Sequence, residues 1–251
     1  MNTISVALAT FNEEKNIIKC LESVKDWVDE IVIVDGSSTD KTVEIAKKFK
    51  AKILVTDNPP IFHINKQKAI DLCRNDWILQ LDADEVIKEE LKKEILRVII
   101  NKQINGYWIP RKNYFLGRWL SKGGQYPDYT LRLYKKGKGR LPCKSVHEQA
   151  HVEGETKYLK SPLLHYPYPD FSHYLDHFKR YTDIFSSELK QEKVEINFIN
   201  SIQYIFIKPS LWFLKTYIRH KGIVDGFPGL IFCFFSAIRF PVAYLKYWKG
   251  K

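Results

Sequence analysis

Trp77-Ile78-Leu79-Gln80-Leu81-Asp82-Ala83-Asp84-Glu85 passes from apolar side chains straight into three carboxylates. A short apolar run bounded by polar residues predicts a buried strand. Its end is then where a parallel sheet opens to solvent, the ligand side of an open α/β domain. Two aspartates around one small residue, on such an end, suit a hard divalent cation that also carries phosphate oxygens. The same residues would serve as a polar strand end that starts a helix, so the surroundings decide between the two.

Working outward, Ile4-Ser5-Val6-Ala7-Leu8-Ala9 and Ile31-Val32-Ile33-Val34 are further compact apolar runs, and Lys52-Ile53-Leu54-Val55 is a third. Between them lie helical patterns: Ile17, Ile18, Leu21 and Val24 share one face, with Asn12 as the N-cap ahead of Glu13 and Glu14. Val43, Ala46 and Phe49 mark the next helix, and Ala69, Ile70, Leu72 and Cys73 the one that leads into Trp77. Strands alternating with helices at this spacing predict βαβ units and a mostly parallel sheet. Four strand ends then converge on one edge: Thr10-Phe11-Asn12-Glu13, Asp35, Thr56-Asp57 and Asp82-Ala83-Asp84. Such an edge suits a nucleotide.

Beyond Glu85 a helix is written by Leu91, Ile95, Val98 and Ile99, and strands by Tyr107–Pro110 and Thr130–Tyr134. From about Pro162 helices dominate, with Tyr174, Phe178, Tyr181, Phe185 and Leu189 at helical spacing. Residues 208–251 carry eight Lys/Arg and one acid, Asp225. The apolar run Leu230–Ile238 is interrupted by Arg239 and Pro241, and falls short of the roughly 20 residues of a spanning helix. Trp212, Tyr217, Tyr244, Tyr247 and Trp248, mixed with lysines, suit a membrane interface. The tail therefore reads as lying on an anionic bilayer, with a helical cap on the domain as the alternative.

Composition sets the outer bounds. Hydrophobic content of 45% and charged content of 27% over 251 residues describe a folded globular chain. A net charge of +11 favours an anionic partner. Nucleic acid is not expected, because carboxylates at the sheet edge repel phosphate unless a cation intervenes. Cys20, Cys73, Cys143 and Cys233 are scattered, which predicts neither a disulfide framework nor a thiolate zinc site. The N-terminus has no basic region followed by an apolar segment, so no secretory signal is expected. His147-Glu148-Gln149-Ala150-His151 matches the H-E-x-x-H zinc-protease pattern, but that chemistry needs a long amphipathic helix that cannot be drawn between Pro142 and Gly154.

Ala9-Thr10-Phe11-Asn12-Glu13-Glu14, Val34-Asp35-Gly36-Ser37-Ser38-Thr39-Asp40-Lys41-Thr42 and Leu81-Asp82-Ala83-Asp84-Glu85 resemble the family 2 glycosyltransferases, which have the GT-A (Rossmann-like) fold. Tyr114–Arg118, Gly123–Asp128, Leu131–Tyr134, Val146-His147-Glu148, Leu163–Tyr166 and Gly226–Gly229 resemble the branch that includes lipopolysaccharide-core β-glucosyltransferases. The resemblance implies a GT-A catalytic domain over residues 1–160 and a helical, basic, aromatic region over 161–251. It implies an inverting, metal-dependent enzyme using Mn2+ or Mg2+ and a nucleotide-diphosphate sugar, a UDP-sugar first. The implied acceptor is a hydroxyl of a lipid-linked glycan or lipopolysaccharide core, at the cytoplasmic, inner face of the membrane. Thr10, Phe11, Asn12, Glu13, Asp35, Asp57, Lys66, Asp82 and Ala83 are assigned to the nucleotide sugar. Asp84 is the metal ligand, with Asp82 near the ribose or the metal shell. Asp128 is the first choice for the base and Glu148 the rival; His147 completes the metal shell, binds the diphosphate, or positions Glu148. Many relatives have two consecutive acids after the second strand, where this chain has Asp35-Gly36.

Overall fold

The computed structural model describes residues 2–144, 149–168 and 170–250. The chain forms two compact units: Met1–Arg111 with Asp128–His165, and Lys112–Pro127 with Tyr166–Lys251. The sequence reading placed a single boundary at residue 160; in the structure residues 112–127 group with the C-terminal unit.

The first unit starts as alternating elements: β1 (Ile4–Thr10), α1 (Ile17–Glu22), β2 (Glu30–Asp35), α2 (Thr42–Lys48), β3 (Lys52–Val55), α3 (His63–Leu72) and β4 (Trp77–Gln80). It continues with β5 (Glu85–Val86), α4 (Glu89–Val98) and β6 (Gly106–Phe115), whose last four residues belong to the second unit, as does β7 (Arg118–Trp119). Then come β8 (Asp128–Lys135), β9 (Gly139–Arg140), β10 (His151–Val152), β11 (Thr156–Tyr158) and β12 (Leu163–His165). The main sheet runs β3-β2-β1-β4-β8-β6-β12-β5. Its first four strands are parallel, and β8 joins β4 antiparallel. β1, β2 and β4 are buried on both faces, which is why they read as continuous apolar runs instead of alternating ones. The strand order reverses between β1 and β4, which is where an open α/β sheet forms a crevice beyond the strands' C-terminal ends. Thr10 and Asp82 border it.

Two local expectations change. α1 begins at Ile17, and Asn12 adopts φ 56° as a loop residue, so Asn12 does not cap that helix. Ile17, Leu21 and Val24 are fully buried, but Ile18 is exposed. The four cysteines are all free, as their scatter implied.

In the second unit, the end of β6 and β7 form a hairpin whose turn residues Leu116 and Gly117 both have positive φ, as a two-residue turn between twisted strands requires. α5 (Phe171–Gln191) is capped by Asp170, whose Oδ1 accepts from the His173 amide at 2.8 Å. α6 (Phe198–Ile202), a π-helical turn (Gln203–Ile207), α7 (Lys208–Phe213) and a second π-helical turn (Leu214–Arg219) follow one another without a break. α8 (Gly226–Lys249) runs straight through Arg239 and Pro241. Pro241 forfeits one helical hydrogen bond, yet α8 packs along α5 and α7 and its Cys233, Ala237, Ala243, Tyr244 and Tyr247 are buried, so the helix does not end there. The apolar segment is therefore longer than the sequence pattern suggested. Gly222–Lys249 is long and apolar enough to cross a membrane, by length and composition alone.

Candidate active site

The first two strand-end loops are laced together by short polar side chains. The Asn12 amide donates to Ser38 Oγ and Asn12 Oδ1 accepts from the Thr39 amide, both at 2.8 Å. The Glu13 amide donates to Thr42 Oγ1 at 2.7 Å, and the Glu14 amide to Asp40 Oδ2 at 3.0 Å. Asp35, fully buried, holds the junction: its Oδ2 accepts from Thr10 Oγ1 and Ser38 Oγ, and its Oδ1 from the Ser38 amide, each at 2.7 Å. A Cβ on Gly36 would stand 3.0 Å from Asn58 Cβ, so a second acid cannot follow Asp35 without displacing that loop. Phe11 is exposed at the rim, Ala83 is buried, and Asp57 stands in solvent with Thr56 Oγ1 donating to it at 2.8 Å.

Beyond β4, a tight turn folds the acidic stretch on itself: the Asp82 amide donates to Glu85 Oε2 at 2.9 Å, and the Glu85 amide to the Asp82 carbonyl at 3.0 Å. The two aspartates then part company. Asp82 meets Lys66 Nζ through one oxygen and Arg132 Nη2, at 2.5 Å, through the other. Arg132 Nη2 also donates to Glu85 Oε1 at 2.7 Å, and Arg111 Nη1 lies 3.5 Å from that same atom. Arg111 donates through Nε and Nη2 to Asp128 Oδ2, at 3.0 and 2.7 Å. A line of alternating charge thus runs Lys66–Asp82–Arg132–Glu85–Arg111–Asp128. Asp84 stands outside it. Its Oδ2 is 3.3 Å from His165 Nε2, while its Oδ1 is buried and meets no hydrogen-bond donor among the described residues.

Electrostatics follow the contacts. Burial alone would raise both aspartates, but Arg132 and Lys66 hold Asp82 well below the ordinary carboxylate range, and His165 holds Asp84 below it. Glu13 goes the other way: burial, with added repulsion from Asp84 and Asp82, lifts it to about 7 against the pull of its Asn16 hydrogen bond.

A buried carboxylate oxygen without a donor is costly unless a cation completes it. Asp84 and His165 form a two-donor set, and the described residues offer no third His, Cys, Asp or Glu to it. That is the complement expected of a small hard cation, which takes one or two protein ligands and fills its remaining positions with phosphate oxygens and water. The residues fit such an ion. His147 and Glu148 lie outside the described residues, and His151 opens the short strand β10, exposed, instead of closing a helix. The helix that zinc-protease chemistry needs is therefore missing at that histidine.

Residues 5–151 match the profile of Glycosyl transferase family 2. The chain belongs to that family. Among its relatives, an uncharacterized glycosyltransferase of Rickettsia felis is 30% identical, with 92% of this chain and 84% of the relative aligned. The lipopolysaccharide core biosynthesis glycosyltransferase LpsC of Rhizobium meliloti is 25% identical, with 94% and 91% aligned. In structure, S. aureus TarS 1–349 in complex with UDP superposes with a TM-score of 0.54 at 15% identity, over 99% of this chain and 92% of that one. This family 2 transferase thus has a GT-A-like fold with a long apolar C-terminal helix.

Four residues of this constellation had no assigned role in the sequence reading: His165, Arg132, Glu85 and Arg111. His165 sits in Leu163-Leu164-His165-Tyr166, a motif quoted for the resemblance, and reaches Asp84 because β12 pairs with β5. Arg132 is a cation between Leu131 and Leu133 on a buried strand, a sequence signal for a paired interior charge.

Proposed function

We propose that this transferase is an inverting, metal-dependent enzyme. It moves a sugar from a nucleotide-diphosphate sugar, a UDP-sugar first, to a hydroxyl of a lipid-linked glycan or lipopolysaccharide-core acceptor at the inner face of the cytoplasmic membrane. The observation that carries the reading is the unequal treatment of Asp82 and Asp84: one is already neutralised by Lys66 and Arg132, the other keeps a buried oxygen open beside His165. Two comparisons support the donor and acceptor classes. TarS has been seen with UDP and with UDP-GlcNAc, and LpsC is named for lipopolysaccharide core biosynthesis.

Asp84 and His165 would hold Mn2+ or Mg2+. When bound, the cation supplies positive charge to the diphosphate as it leaves. Asp35 and the Thr10–Glu13 loop form the floor on which the nucleoside rests, with Asp57 at its margin. Lys66 and Arg132 fix Asp82 so that it presents a set geometry to the donor. Asp128, oriented by Arg111, accepts the proton of the acceptor hydroxyl as that oxygen attacks the sugar from the face opposite the departing diphosphate. A single displacement of this kind turns an α-linked donor into a β-linked product. Glu148 is the alternative base.

The test is transfer from a panel of nucleotide sugars, in Mn2+ or Mg2+, by the wild type and by Asp84→Asn. We expect Asp84→Asn to lose at least a hundredfold in kcat/KM while melting as the wild type does, because charge stabilisation of a leaving group is worth roughly 3 kcal/mol or more. Equal activity in the two proteins would remove Asp84 from the metal site. Asp128→Asn and Glu148→Gln, compared side by side, identify the base as the one whose loss abolishes turnover but spares nucleotide binding.

A further inference from the structure

Hydropathy singles out α8, which packs along one side against α5 and α7 and leaves Phe227, Leu230, Phe234, Leu245 and Trp248 exposed. A further exposed apolar surface lies on the continuous helical stretch before it. Along residues 198–219 the outward positions are Phe198, Ile199, Phe206, Leu211, Leu214 and Ile218, with Phe198 78% and Ile218 61% exposed. With Ile207, 47% exposed, the steps Ile199–Phe206, Ile207–Leu211, Leu211–Leu214 and Leu214–Ile218 are seven, four, three and four residues, a stripe along one side about 30 Å long by helical rise. Tyr204 and Thr216, on the other side, are buried. The stripe continues through exposed Ile223, Val224 and Phe227 at the turn into α8. This is an amphipathic helix with its apolar side turned to solvent, a surface too large to be incidental.

Charge identifies what covers it. Residues 196–224 contain Lys208, Lys215, Arg219 and Lys221 and no acid. Two acids flank this stretch: Glu195, exposed before the first turn and accepting from Asn197 Nδ2 at 3.1 Å, and Asp225, 1% exposed, whose carboxylate accepts from the Ser121 amide and hydroxyl and from the Lys122 amide. Between these two flanking acids the stretch carries cations alone. A second copy docked here would set four cations against four. A nucleic acid would leave the apolar stripe in water. A bilayer with anionic headgroups satisfies both components, with apolar side chains in the acyl boundary and lysines reaching to phosphates.

We propose that the outer face of residues 198–219, extended by Ile223–Phe227, is the membrane-docking surface, lying in the plane of an anionic leaflet. This deepens the membrane location proposed above without resting on the transfer chemistry. The full chain is mixed with vesicles of phosphatidylcholine, with or without phosphatidylglycerol, and floated. We expect binding to the anionic vesicles that weakens in high salt. Phe206→Ser with Leu211→Ser should reduce partitioning at least tenfold, since each side chain contributes roughly 1.5–3 kcal/mol when buried. Lys215→Glu with Arg219→Glu should abolish the preference for anionic vesicles. Ile100→Ser, which removes an equally exposed residue of the first unit, should change nothing. Melting curves check that each variant folds. Vesicle binding unchanged in the two double variants would overturn the proposal. So would a wild type that ignores vesicles but halves in mass with Phe206→Ser/Leu211→Ser, which would make the face a self-interface. Asp84→Asn should bind vesicles as the wild type does, so a failure of the transfer reading stays distinguishable from a failure of this one.

Discussion

Arg132 is 8% exposed at its side chain and touches Asp82 and Glu85 with the same nitrogen. Removing it leaves two carboxylates facing each other in a dry environment, and breaking a buried pair in this way costs about 3–5 kcal/mol. Arg132→Met should therefore lower the unfolding free energy read from urea denaturation by that amount. Arg132→Lys should recover only part, because an ammonium is more strongly hydrated than a guanidinium and costs more to bury. Glu13 gives a second expectation at this scale. Its carboxyl ionises near 7 in the folded chain and near 4.5 when unfolded, chiefly through burial, with Asp84 and Asp82 adding to it. A raised carboxyl favours the folded state fully below pH 4.5, and that contribution is lost as pH rises through 7. Metal-free wild type should lose on the order of 3 kcal/mol over that interval. Glu13→Gln should flatten the curve there, while Asp82 and Asp84, both lowered, act only below their ordinary range near 3.8. The placement of Asp82-Ala83-Asp84 just past the end of β4 could be read from sequence because its parts are contiguous. The Arg132 and His165 partners could not, because they arrive through the β4–β8 and β5–β12 pairings, which no local pattern encodes.

At the scale of elements, β1, β2 and β4 were legible because burial on both faces leaves an unbroken apolar run. Helices were harder: Ile18 fits the inward stripe of α1 by spacing, yet the six-residue helix is too short for its phase to be fixed by pattern. The start of α8 depends on a feature that composition only hints at. A Cβ on Gly229 would stand 2.3 Å from the Gly222 carbonyl oxygen, so Gly226-Phe227-Pro228-Gly229 allows backbone to meet backbone. Gly229→Ala should destabilise the second unit by about 1–3 kcal/mol through overpacking, seen as an earlier first transition in a melting curve. Asp225 makes a related prediction. It secures Ser121 and Lys122, so Asp225→Ala should speed hydrogen exchange at those two amides at least tenfold, with the amides of β1 unchanged.

For the whole molecule, the charge of +11 had several explanations at first, and the structure sorts them by location. Lys66, Arg111 and Arg132 are committed to carboxylates within the first unit, and the cations of residues 208–221 flank an apolar face in the second. The line of alternating charge that begins at Lys66 carries one more consequence. Because the chain supplies its own counter-ions to Asp82, Glu85 and Asp128, the acidic crevice is balanced before any ion arrives. On the metal reading proposed above, the ion would come and go with the nucleotide and would not nucleate folding. A chelator should leave the melting temperature of the ligand-free protein unchanged, whereas Mn2+ with UDP should raise it by several degrees as bound ligand draws on the folded state. Such a protein can be purified, stored and refolded in chelating buffer, and should regain full turnover as soon as the ion is restored.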